Sequence, residues 1–163
     1  MKTKIFITAG CLILAIFASG QNKQSDKEEK KTMNVEESIQ SGSYEIVVNQ
    51  ANPINGMIWH LTSYYSIRIL GDSSYVYLPY FGRVYTAFPY DGDGGIKVNN
   101  LMDSYNVDFK KEKEYSINFT AKGTHDIYRF SMSVWKNGNA SINVTCNNRQ
   151  AISYLGELIL SEK

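Results

Sequence analysis

The chain has 163 residues, of which 43% are hydrophobic, 13% aromatic and 20% charged, and its formal net charge is +1. This is the length and composition of one domain able to bury a sizeable core, and it excludes an intrinsically disordered or repeat-built chain. With 17 basic residues against 16 acidic ones there is no basic field to draw nucleic acid and no acidic field to collect cations.

Taken in chain order, Lys2 and Lys4 form a short basic region, Ile5 to Phe17 is an apolar run, and Ala18-Ser19-Gly20 places small residues before Gln21. That order predicts a secretory signal over residues 1–20, cleaved near Gly20. The run is too short to cross a hydrocarbon core of about 30 Å as a helix, so the exported protein is expected in the periplasm or cell envelope and not as a transmembrane protein. Removing Lys2 and Lys4 from the 17 basic residues and none of the 16 acids leaves a charge of −1, and the argument about partners survives cleavage. A competing reading makes Cys11 a lipid-modified cysteine, since Ala9-Gly10 supplies the small residues such a signal needs. It would leave Leu12 to Phe17 as a hydrophobic start to the mature chain. With Cys11 removed, Cys146 has no partner for an internal disulfide.

Residues 21–32 open with a stretch lacking aliphatic and aromatic side chains, which predicts a flexible polar leader ahead of a single β-rich domain over residues 33–163. Val35 and Ile39 lie four apart, Asn34 and Glu37 resemble a capping box, and Gly42 can end the turn; together they predict one short helix over residues 33–41. From Tyr44 the apolar period changes to two. Tyr44/Ile46/Val48, Tyr65/Ile67/Ile69, Tyr105/Val107/Phe109, Tyr115/Ile117/Phe119, Tyr128/Phe130/Met132/Val134 and Ile142/Val144/Cys146 alternate with polar residues, as half-buried strands do. The last set predicts an inward, inert Cys146. Gly71-Asp72, Lys110 to Glu114, Lys122-Gly123-Thr124 and Asn137-Gly138 separate the runs, and the last of these predicts a tight hairpin with positive φ at both central positions. The expected fold is therefore mainly β, an antiparallel meander of about eight to ten strands closed into a sandwich or barrel.

Tyr75 to Tyr90 (YVYLPYFGRVYTAFPY) is dense in aromatics, with Pro79 and Gly82 interrupting strand pairing and Arg83 just past the bend. Both parities of Tyr75-Val76-Tyr77-Leu78 are bulky, so one pair must face outward or onto a second layer. Two readings stand for this segment. It is either core and cross-strand packing closing one end of the domain, or a ligand-binding surface formed by Tyr80, Phe81, Arg83, Tyr85 and Tyr90, in which rings offer apolar faces and the guanidinium a directional handle. Asp91-Gly92-Asp93-Gly94-Gly95 begins like a calcium loop but lacks oxygens at the later ligand positions, so no metal site is expected. His60 and His125 have no partner at zinc spacing and no nucleophile motif surrounds them, so no catalytic residue and no cofactor is expected.

The run Leu78-Pro79-Tyr80-Phe81-Gly82-Arg83-Val84-Tyr85, with Gly94-Gly95-Ile96 and Asn148-Arg149-Gln150-Ala151-Ile152-Ser153-Tyr154-Leu155-Gly156, resembles the domain of unknown function 4251 family, secreted or lipoprotein-like proteins of Bacteroidetes-type bacteria. The resemblance covers roughly residues 33–160. It implies an envelope location and a compact domain, and transfers no catalytic residue. The functional expectation is a non-catalytic cell-envelope module that binds a small molecule, glycan or protein through the aromatic segment. The alternative is an envelope structural or assembly protein with no ligand pocket, and a hydrolase is a remoter third reading.

Overall fold

A computed structural model describes residues 31–85, 94–110, 114–124 and 126–159. Residues 31–40 form the helix α1. Eight strands follow: β1 (Ser43–Pro53), β2 (Trp59–Leu70), β3 (Ser73–Leu78), β4 (Ile96–Lys110), β5 (Glu114–Gly123), β6 (Ile127–Trp135), β7 (Asn139–Thr145) and β8 (Ile152–Ile159). Each pairs antiparallel with the next, and β8 returns to β1, so the meander is a closed barrel. This decides between sandwich and barrel. Alternation says which side chains point inward, but only the seam from Glu45↔Ile159 to Pro53↔Ile152 joins the two outer strands and leaves no edge unpaired.

The alternation seen in the sequence sorts inside from outside. Ile46, Ile67, Leu78, Ile117, Phe130, Met132, Ile142 and Tyr154 are among the side chains that fill the lumen, each almost wholly buried. Burying a side chain of this size contributes about 1.5–3 kcal/mol, and Phe119 stacks on Phe130 at 4.6 Å between ring centroids. An eight-stranded barrel can be filled by side chains or can hold one small ligand; here the described inward rows form one continuous buried cluster, so the interior they enclose is a packed core. In β3, Val76 and Leu78 take the inward parity, which sends Tyr75 and Tyr77 out to meet Arg68 and Lys97 through their ring faces.

Bulges adjust the parity. In β1 the inward set runs Tyr44, Ile46, Val48 and then Ala51, Pro53, because Asn49 is an extra residue against β8: Val48 faces Gly156, whereas Gln50 faces Leu155. Beside this bulge the strands lie so close that a Cβ on Gly156 would collide with the Val47 carbonyl, which explains a glycine in the middle of an inward-facing row. In the sequence, residues 96–101 and the alternating Tyr105/Val107/Phe109 look like separate runs. The structure joins them in the long β4, whose register against β5 shifts twice and whose Ser104 adopts φ 59°.

Four sequence expectations change in detail. The helix already includes residue 31, ahead of Asn34, and there Lys31 Nζ donates to Glu157 Oε1 at 2.8 Å and docks a turn that the capping-box reading leaves outside. Asn137-Gly138 does connect β6 to β7, but only Gly138 has positive φ (89°); its N–H donates to the Trp135 carbonyl at 2.8 Å and closes a one-residue-longer turn than the two-residue type. Phe109 does not join the inward set of Tyr105 and Val107, since β4 has run past the barrel wall there and the ring lies exposed under Lys136. Cys146 is half-buried, not core, because β7 ends at Thr145 and the inward row stops at Val144.

Because connections alternate, the barrel has two different ends. At the helix end lie the entry to β1 and the turns β2–β3, β4–β5 and β6–β7, and there α1 seals the lumen by burying Val35 and Ile39. The connections β1–β2, β3–β4, β5–β6 and β7–β8 gather at the opposite, loop end.

Candidate functional site

The aromatic segment leaves β3 at Leu78 and crosses the loop end. There Val84 pairs with Arg149 as an isolated antiparallel bridge, flanked by Tyr85 N–H to the Asn148 carbonyl (2.8 Å) and Gln150 N–H to the Arg83 carbonyl (2.9 Å). The crossing segment is thus stitched onto the β7–β8 connection, far along the chain.

Beneath the stitch is a polar lock. Tyr80 Oη lies 2.8 Å from the Gln150 carbonyl and 2.9 Å from that of Arg83, and its single proton is shared between them. Tyr154 Oη donates to the Pro79 carbonyl at 2.6 Å. Arg149, 4% exposed, donates from Nη1 to the carbonyls of Gly94 and Gly95, and its guanidinium sits 5.2 Å from the centre of the Tyr80 ring. A guanidinium suits this place because its planar fork can serve backbone carbonyls while one face covers an aromatic ring. The three segments that meet here, Leu78–Tyr85, Gly94–Ile96 and Asn148–Gly156, are the same residues that carry the family resemblance. They converge on one closure of the barrel end.

The lock also sets the chemistry. Burial pushes the Tyr80 hydroxyl up to about 12, with Cys146 adding and Arg149 opposing. Burial pushes the Cys146 thiol up to about 11, helped by the neighbouring Asp126. Burial raises Tyr154 as well. These hydroxyls and the thiol therefore stay protonated at neutral pH and act as hydrogen-bond donors.

Of the proposed binding residues, Tyr80 and Phe81 are half-buried and belong to the closure, while Arg83 and Tyr85 are exposed above it. Tyr90 lies outside the described residues, as do Asp91 to Asp93. Sequence reasoning missed two partners. Trp59, the first residue of β2, stacks flat on Phe81 at 4.8 Å and an interplanar angle of 7° while remaining 41% exposed. The β1–β2 tip carries exposed Ile54, Met57 and Ile58 around an Asn55-Gly56 turn closed by Gly56 N–H to the Pro53 carbonyl at 3.1 Å. The signal was present in the sequence: apolar residues on both sides of an Asn-Gly turn cannot all reach a core. Among the described residues, open grooves of about 280 Å³ lie beside the β5–β6 connection, lined by Lys97, Gly123 and Thr124, and on the wall, lined by Arg129, Asn143 and Thr145. Among the described residues no group of His, Cys, Asp and Glu is placed to hold a metal ion, and no helix is long and apolar enough to cross a membrane.

Comparison with known proteins places this arrangement. No curated protein matches the chain. A crystal structure of a DUF4251 family protein from Bacteroides eggerthii DSM 20697 matches with a TM-score of 0.64 at 17% identity, over 80% of this chain and 87% of that one, which is a likeness of fold. The profile of the family described as "Domain of unknown function (DUF4251)" matches residues 26–158, a span that holds the helix, all but the last residue of the barrel and every segment of the lock. The chain belongs to the DUF4251 family.

Proposed function

We propose that this domain is a non-catalytic module of the cell envelope that works through a docking surface at the loop end of its barrel. The observation that carries this reading is the exposed Trp59 stacked on Phe81, in a segment whose Tyr80 is fixed by the lock with Arg149 and whose Arg83 and Tyr85 are exposed. A ring fixed by a second ring beneath it presents an apolar face without losing much side-chain freedom on binding. The filled lumen favours an outer surface over an enclosed small-molecule pocket, which brings the reading close to an assembly or adaptor role. The envelope location rests on the N-terminal signal.

The test separates surface from scaffold. Replacing Arg83 and Tyr85 together by Ala should leave the melting temperature within about 2 °C, as expected of exposed positions, and lower retention on envelope preparations from the native host by roughly tenfold or more. Retention equal to that of the wild type refutes the docking surface.

A further inference from the structure

We infer that the loop end seats on the surface of an anionic lipid bilayer, an inference that rests on the docking reading above and names its partner. Two independent features carry it.

The first is the layering of side chains at this end. The β1–β2 tip holds Ile54, Met57 and Ile58, which are 63%, 53% and 62% exposed, around its turn. Trp59, 41% exposed, follows them as the first residue of β2, and the same end also carries the ring of Tyr85, 62% exposed. Aliphatic residues at the tip and amphipathic rings behind them match the passage from acyl chains to headgroups.

The second is the segregation of charge along the barrel. Between Glu45 and Asp72, and again between Asp72 and Asp91, the chain contains no carboxylate. Arg83, Lys122 and Arg129 are exposed toward the loop end. Asp126, the carboxylate described there, is occupied in accepting from the backbone N–H groups of Ile127 (2.9 Å) and Asn148 (3.2 Å). Glu36, Glu37, Glu45, Asp72, Asp108, Glu114 and Glu157 lie at the helix end, where Lys31, Arg68, Lys110 and Lys136 offset part of their charge, so among the described residues the helix end is net acidic and the loop end net basic; Asp91 and Asp93 of the β3–β4 connection lie outside the described residues. Such a dipolar molecule turns its loop end toward a negatively charged surface. A second copy is disfavoured, because two loop ends face to face would set Arg83, Lys122 and Arg129 against their like. The lock and stitch hold the backbone of Arg83 and Tyr85 before contact, so seating these residues costs little conformational entropy.

The experiment uses the chain from Gln21 onward, which retains every described residue, with Trp135→Phe so that Trp59 is the one remaining tryptophan. Vesicles of phosphatidylglycerol and phosphatidylethanolamine should carry the protein on flotation, shift Trp59 emission to the blue and quench it when the acyl chains are brominated. Ile58→Asp should weaken partitioning by roughly tenfold or more, and Arg83→Ala by about fivefold, the factor for one cation near an anionic surface. Thermal melts of both variants establish that they are folded. No flotation, equal flotation on phosphatidylcholine vesicles, or an unshifted Trp59 emission overturns the inference. So does a dimer that Ile58→Asp converts to a monomer, which would make a second copy the occupant. If vesicle binding fails while retention on envelope preparations still depends on Arg83 and Tyr85, the lipid partner is wrong and the docking surface stands; if both fail, both fall.

Discussion

Replacing Gly156 by Ala tests the closure of the barrel at its tightest point. Gly156 faces Val48 across the β1–β8 seam, one residue before the Asn49 bulge. A Cβ there collides with the Val47 carbonyl oxygen and comes within 3.1 Å of the Val47 carbonyl carbon and of Val48 Cα. All three are backbone atoms, so no rotamer change relieves the clash and the two strands must part. Overpacking of this kind costs about 1–3 kcal/mol, and loosening one ladder hydrogen bond adds about 1 kcal/mol. The sum is roughly 2–4 kcal/mol, which for a domain of this size lowers the melting temperature by about 10 °C. Thermal unfolding followed by circular dichroism, with urea unfolding as a check, measures it. Leu155→Ala supplies the control, since Leu155 lies on the outer face of the same strand and is 40% exposed; it should cost less than about 1 kcal/mol. If Gly156→Ala melts within about 2 °C of the wild type, the seam is not as close as its register requires, and the argument for a tightly closed barrel fails.

Gly138→Val should cost more than about 1 kcal/mol, because φ 89° is unfavourable for a β-branched residue; an unchanged urea midpoint would put the turn elsewhere. Tyr80→Phe leaves the Arg83 and Gln150 carbonyls without their shared donor and should cost about 1–2 kcal/mol in urea unfolding, a loss that an unaltered midpoint would disprove. Alkaline pH should destabilise the fold. The folded-state pKa of Cys146 is raised from 9.0 to about 11 and that of Tyr80 from 10.0 to about 12, so the folded state binds more protons across this window, and the stability present below pH 9 is lost as pH rises toward 12. Stability that stays flat from pH 9 to pH 11 in urea titrations would refute the assignment, and native Cys146 should react slowly with thiol reagents at pH 7.

How far the fold could be read from the chain depends on which physical signal each part leaves. The rows Ile142/Val144 and Phe130/Met132/Val134 are legible because burial of one face of a strand imposes a two-residue period. The helix is legible from Val35 and Ile39 for the matching reason with a period near four. Closure is not legible. The pairing of Val48 with Gly156 spans more than a hundred positions, and periodicity carries no record of which strands are neighbours. Bulges also escape it: Asn49 and Ser104 look like ordinary polar residues between apolar ones, yet each re-sets which side chains turn inward. At the candidate site, the LPYFGR run stands out as unusual. The reason, a buried Arg149 that receives Tyr80 on its face and two glycine carbonyls on its edge, depends on segments that meet only after folding.

The ion pair of Lys31 with Glu157 and the seam of β1 with β8 mean that the first and last parts of the domain are direct neighbours. During synthesis, β1 through β7 can zip up hairpin by hairpin from local pairings, yet β1 keeps one side unpaired until the eighth strand has emerged. Until then the sheet is a curled ribbon with two open flanks, able to recruit any passing strand. Truncation at Gln150 should therefore give an aggregating chain and not a slightly weakened barrel, with solubility lost in one step as β8 is removed. Joining residue 31 to Ile159 by a short linker and opening the chain at the β6–β7 turn should in turn yield a permuted protein that folds, since the cut would exchange one local hairpin for the seam.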